Sequence, residues 1–127
     1  VELDTLLEES DIISLHVPLN DATRGMIGAE EIQKMKKSAV LINTARGPVT
    51  DANALSEALK AGRIAGACVD VFENEPPVAA DHPLFSAPNT IVTPHIAFAT
   101  REAMVKRAVT VFENVKLYLK GTPQNVM

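Results

Sequence analysis

The sequence predicts an α/β fold, a parallel sheet of about four strands with flanking helices. Three observations carry that prediction. Four short runs rich in β-branched or aliphatic residues, Ile12 to His16, Ala39 to Thr44, Ile64 to Asp70 and Thr90 to Thr93, are too continuous for half-exposed antiparallel strands. Segments with helical spacing and recognisable end signals alternate with them. The resulting order, helix, strand, helix, strand, helix, strand, loop, strand, helix, is that of parallel βα units with right-handed crossovers and helices on the faces.

Each element has its own warrant. Val1 to Glu9 reads as a helix already under way, and Val1 is not an initiator Met, so the expectation is a piece of a longer protein. The first strand runs into Pro18, which cannot donate to a ladder. Gly28 can open the next helix, with Glu30 and Glu31 in its first turn and Lys34, Lys36 and Lys37 towards its end, matching the helix dipole. After the second strand, Asp51 is an N-cap for Ala52 to Ala61, and Gly62 stops that helix in the left-handed position glycine occupies cheaply. The third strand is followed by the longest irregular connection, Glu73 to Pro88, which contains Pro76-Pro77, His82-Pro83 and Ala87-Pro88. Long loops of this kind are usually functional or mobile. Thr100 opens the last helix, in which Val105, Ala108, Val109, Phe112, Val115 and Leu119 keep an i, i+3, i+4, i+7 stripe. Such a stripe needs a covering surface, and the sheet is the expected one.

Composition narrows the class of partner. A chain of 127 residues that is 46% hydrophobic is expected to form one core. The formal charge is −4 and no cluster of Lys or Arg exceeds Lys36-Lys37, so neither nucleic acid nor an anionic membrane is an expected partner. No apolar run approaches the roughly 20 residues that span a bilayer, and the first residues do not pair a basic region with a hydrophobic one. The single cysteine, Cys68, lies in the apolar run Ile64 to Val69 and reads as a buried strand thiol in a reducing compartment, which makes the cytoplasm the expected location. No metal site is expected.

In open parallel sheets ligands bind beyond the carboxyl ends of the strands. The residues there are His16-Val17-Pro18 after the first strand, Asn43 to Gly47 after the second, Asp70 to Pro76 after the third and Thr93-Pro94-His95 after the fourth. A base, a fork-shaped cation and several carboxylates thus converge on one edge. Arg46 offers the planar, permanently charged donor fork that matches a carboxylate. His95 can hold or give the proton that moves when a carbonyl becomes a hydroxyl. Glu75, if hydrogen-bonded to the far ring nitrogen, would fix the tautomer. Hydride is beyond any side chain, so such a site would need a nicotinamide cofactor. Taken singly, each residue has a plainer reading: a His beside Pro is ordinarily a turn or packing residue, and His16 and His82 are read that way. Arg46 alone would be a surface residue, Glu75 a solvated loop carboxylate and Asp70 a turn former.

At these residues the sequence resembles the D-isomer-specific 2-hydroxyacid dehydrogenase family. Met35 to Asp51, centred on Asn43-Thr44-Ala45-Arg46-Gly47, fits that family's long signature around its catalytic arginine. Ser10 to Leu19, Ala67 to Pro76 and Thr93 to Ala97 fit its other landmarks in the expected order. The resemblance implies the second half of a Rossmann-like doubly wound sheet, residues 1–127 being a partial NAD-binding domain. It implies that Arg46 binds the substrate carboxylate and carbonyl, that His95 is the acid/base, and that Glu75, not Glu73, orients it. It further implies that Asp70 meets the nicotinamide carboxamide. Val17, Pro18, Thr44, Ala45, Arg46 and the backbone from His95 to Ala97 would touch the cofactor.

The implied cofactor is NAD. The residues that choose between NAD and NADP, the G-x-G-x-x-G phosphate loop and a substrate domain are all expected before Val1, since the glycines present form no such loop. The implied substrate is a small 2-hydroxy or 2-keto acid, and relatives with an amide in place of Glu75 act on formate, which favours a hydroxyacid here. The chain alone is expected to be inactive, and to self-associate as a homo-oligomer through its sheet edge and helix faces. The alternative is a dinucleotide-sensing corepressor of the same fold.

Overall fold

The computed structural model describes residues 1–126 and divides into two compact units, Val1 to His95 and a second that begins at Ile96. In the first unit β1 (Ile12–Leu15), β2 (Val40–Asn43), β3 (Gly66–Val69) and β4 (Thr90–Val92) form one parallel sheet in the order β1-β2-β3-β4. Helices α1 (Leu3–Glu9), α2 (Ala29–Lys34) and α3 (Ala52–Lys60) precede β1, β2 and β3. The connection from β3 to β4 is a loop with one 3-10 turn, Pro83–Phe85. The fold class is the predicted one. Each strand ends before its predicted run does, which leaves His16, Thr44, Asp70 and Thr93 at the carboxyl edge, beyond the strands.

Local signals place the helices. The Asp51 carboxylate accepts from the N–H groups of Asn53 and Ala54 at 2.9 and 3.0 Å, and Gly62 takes φ +62° just past α3. The Glu31 carboxylate turns back to accept from Gly28 N–H at 3.0 Å. Helix α2 stops earlier than predicted because Met35 is extended and Arg63 donates to the Gln33 and Met35 carbonyls that would otherwise continue it. Lys34 reaches Asp4 of α1 at 2.6 Å, a hydrogen bond that holds its ammonium pKa above the ordinary value.

Strand register decides which residues are covered. Ile13, Leu41 and Ala67 form one row and Leu15, Asn43 and Val69 the next, and all six are buried. Leu7, Ile32, Leu55 and Leu59 from the three helices complete the same cluster. The alternate row, Ser14, Ile42, Cys68 and Ile91, is exposed or half-buried. The expectation of helices on both faces is therefore narrowed: α1 to α3 cover one. The reason is the strand order, because right-handed crossovers that all step the same way across a sheet put every connector on the same side. Cys68, expected to be buried, is half-buried for the same reason.

In the second unit Thr100 Oγ1 accepts from Ala103 N–H at 3.1 Å and opens α4 (Arg101–Leu119), as predicted. None of its residues is buried. Val105, Val109, Phe112 and Val115 are all more than half exposed, so the stripe expected to be covered is open.

Candidate active site

The loop after β2 is shaped by a side chain the sequence reading did not single out. Asn43 is 1% exposed; its Oδ1 accepts from Ala45 N–H at 3.0 Å and its Nδ2 donates to the Arg46 carbonyl at 3.0 Å and to Thr50 Oγ1 at 3.3 Å. Every polar atom of this buried amide is matched to the turn it folds. The signal was an Asn at a strand end followed by a glycine-containing loop. Arg46 is left exposed at the rim, its Nη1 donating to the Ala45 carbonyl at 2.7 Å. Together with Val17, Pro18, Leu19, His16, Thr44 and Ala45 it lines an open cavity of about 590 Å³. The two loops predicted to touch a cofactor, at β1 and β2, therefore share one cavity.

The loop after β3 carries the carboxylates. Asp70 is 3% exposed, receives the Thr93 hydroxyl and uses its carbonyl to accept His95 N–H at 2.8 Å. His95 takes φ +55°, a left-handed conformation uncommon for residues that carry a Cβ, though less so for histidine than for most; it costs on the order of 1–3 kcal/mol and persists where surroundings impose it. The Asp70 carbonyl is one such constraint. The His95 ring is held by Glu75: Nδ1 lies 2.9 Å from Glu75 Oε2, while Glu75 Oε1 accepts from Phe72 N–H at 2.9 Å. Both carboxylate oxygens are thus engaged, one by the backbone and one by the imidazole.

Gly47 links the Arg46 loop to this pair. A Cβ there would stand 2.0 Å from the carbonyl carbon and 2.3 Å from the oxygen of Phe72, so only glycine lets the two loops touch. His82, read from sequence as a turn or packing residue, proves to have a carboxylate of its own, Glu73, with Nε2 3.0 Å from Oε2. No local pattern announces this pairing, since the partners are nine positions apart in an irregular loop. His16 meets Ser14 Oγ at 2.8 Å. Ala97 lies in the second unit and is exposed.

Residues 1–97 match the family described as D-isomer specific 2-hydroxyacid dehydrogenase, NAD binding domain. A glycerate dehydrogenase of Methylorubrum extorquens is 51% identical over 131 aligned residues, covering 100% of this chain and 41% of the relative. A glyoxylate reductase of Thermofilum pendens is 54% identical over 120 residues, covering 94% and 35%. Among solved structures, a D-lactate dehydrogenase from Sporolactobacillus sp. superposes with a TM-score of 0.90 at 35% identity, covering 98% of this chain and 41% of that one. The NAD complex of a D-isomer specific 2-hydroxyacid dehydrogenase from Lactobacillus delbrueckii ssp. bulgaricus gives 0.85 at 36% identity, covering 98% and 41%. This chain spans about two fifths of the length of such relatives. A likeness in sequence and backbone that runs through nearly all of its residues leaves one assignment: the chain belongs to the D-isomer specific 2-hydroxyacid dehydrogenase family, in its NAD-binding domain.

Proposed function

We propose that this chain is part of the NAD-binding domain of an enzyme that moves a hydride between a nicotinamide cofactor and C2 of a D-2-hydroxy or 2-keto acid. The observation that carries the reading is the 2.9 Å contact of His95 Nδ1 with Glu75, on the same sheet edge as Arg46. With Nδ1 committed to the carboxylate, Nε2 is the ring atom that gives a proton to the ketone oxygen on reduction and takes it back on oxidation. Glu75 fixes that tautomer and stabilises the imidazolium when it forms. Arg46 binds the substrate carboxylate through its donor fork and polarises the carbonyl beside it.

The residues present fit the nicotinamide end of the cofactor. Val17, Pro18 and Ala45 provide an apolar wall for a flat ring, Thr44 lies beside them, and the buried Asp70 carboxylate is an acceptor for a carboxamide N–H. When bound, the nicotinamide supplies or takes the hydride. A grip on the pyrophosphate is outside this set, so the chain alone is expected to show little or no turnover. The relatives' names, glycerate dehydrogenase and glyoxylate reductase, support a short 2-keto acid as substrate. The lone, half-buried Cys68 fits a reducing cytoplasm.

In the enzyme that contains this chain, Arg46→Ala is expected to lower kcat/KM for pyruvate, glyoxylate and hydroxypyruvate by about 10²-fold or more, since a charged partner is left unpaired. An unchanged rate with all three would sink the proposal. A corepressor of the same fold would turn none of them over at all. The uncovered Ile12, Ile91 and Phe112, 66%, 64% and 75% exposed, support a homo-oligomer of this chain. Light scattering at high concentration that returns the mass of one chain refutes that.

A further inference from the structure

We propose that His82 is a positioning residue: paired with Glu73 and packed on Phe72, it fixes these two residues and so sets where Glu75 presents its carboxylate to His95. The proposal rests on the reading of His95 and Glu75 as the proton-handling pair and adds what holds that pair in place. The side chain of His82 is 11% exposed. Its Nδ1 accepts from Leu84 N–H at 3.4 Å, which leaves Nε2–H to donate to Glu73 Oε2 at 3.0 Å. One neutral tautomer serves both contacts.

A turn-capping residue would need only the Nδ1 contact. The remaining contacts all bear on residues 72 and 73. The His82 ring meets the Phe72 ring edge-on, centroids 5.0 Å apart at 86°, and Phe85 closes a three-ring cluster at 5.5 and 5.6 Å. The turn that carries His82 is itself anchored to α3, where Ser56 Oγ donates to the Pro83 carbonyl at 3.0 Å. The Phe72–Glu73 peptide also packs against Gly47, with no room there for a Cβ. Residues 72 and 73 therefore meet both an anchored imidazole and the Arg46 loop. The N–H of Phe72, on the other side of the same Cα, donates to Glu75 Oε1 at 2.9 Å. Displacing residues 72 and 73 moves the anchor of Glu75, and with it the partner of His95 Nδ1. The two glutamates of this loop thus have separate duties, each to its own histidine.

The test uses the full 127-residue chain, which has three histidines, so their ring ¹⁵N signals are assigned by single substitution. Long-range ¹H–¹⁵N spectra at alkaline pH report the tautomer of neutral His95. The expected result is Nδ1–H in the unmodified chain, a shift towards Nε2–H in His82→Ala and Glu73→Ala, and recovery of Nδ1–H in His82→Gln, which keeps an N–H for Glu73. The signals of His16 serve as the unaffected reference. A His95 pattern that stays at Nδ1–H in both alanine variants overturns the proposal, and so does a shift in His82→Ala that Glu73→Ala does not share. Should His82→Ala fail to fold, Glu73→Ala, at a carboxylate 35% exposed, decides alone. Glu75→Ala separates the two levels: if it too leaves the His95 tautomer unchanged, the His95–Glu75 reading falls along with this one.

Discussion

The two faces of the sheet are made from the same strands and fare differently. On one, Ile13, Leu41, Ala67 and their neighbours are closed over by Leu7, Ile32 and Leu55; on the other, Ser14, Ile42, Cys68 and Ile91 are exposed or half-buried. Largely apolar strands therefore do not guarantee two covered faces. What decides is the order in which the strands are laid down, a property of the whole topology rather than of any strand. Stability in this unit should accordingly reside on one side.

Leu55→Ala strikes the covered face at a fully buried side chain, and denaturant titration should show a loss of about 2–5 kcal/mol. A loss below about 1 kcal/mol would erase the contrast between the faces. Asn43→Ala removes the polar residue from the covered row and leaves the Ala45 N–H and the Thr50 hydroxyl without their partner. A cost of about 1–3 kcal/mol is expected, together with faster hydrogen exchange at the Ala45 amide. Exchange at that amide as slow as in the unmodified chain would mean that Asn43 does not shape the Arg46 loop. Ile12→Ala, on the open face at 66% exposure, should stay within about 0.5 kcal/mol. A larger loss would show that the face is covered in solution, by another copy of the chain or otherwise.

Local chemistry was legible in the sequence and long-range geometry was not. Asp51, Gly62 and Thr100 announce helix ends because capping involves residues a few positions apart. Arg46, Asp70 and His95 stand out because a parallel sheet brings all its strand ends to one edge, a rule that needs no coordinates. The residues at the strand ends offered Glu75 as a partner for His95 and the family resemblance preferred it to Glu73; in the structure Glu75 meets His95 and Glu73 meets His82. The one-sided cover, the half-buried Cys68 and the Glu73–His82 pair depend on strand order and on the path of an irregular loop. Neither leaves a periodic trace in the chain.

The left-handed backbone of His95 has a consequence for how such a site can change over time. At this position the main chain and the side chain favour different residues: glycine would adopt φ +55° without strain, whereas the proposed proton transfer needs an imidazole. Selection for stability alone would drift towards glycine here and lose the chemistry. Under the proposed function, the chemistry at this position and the conformational preference of the chain pull in opposite directions.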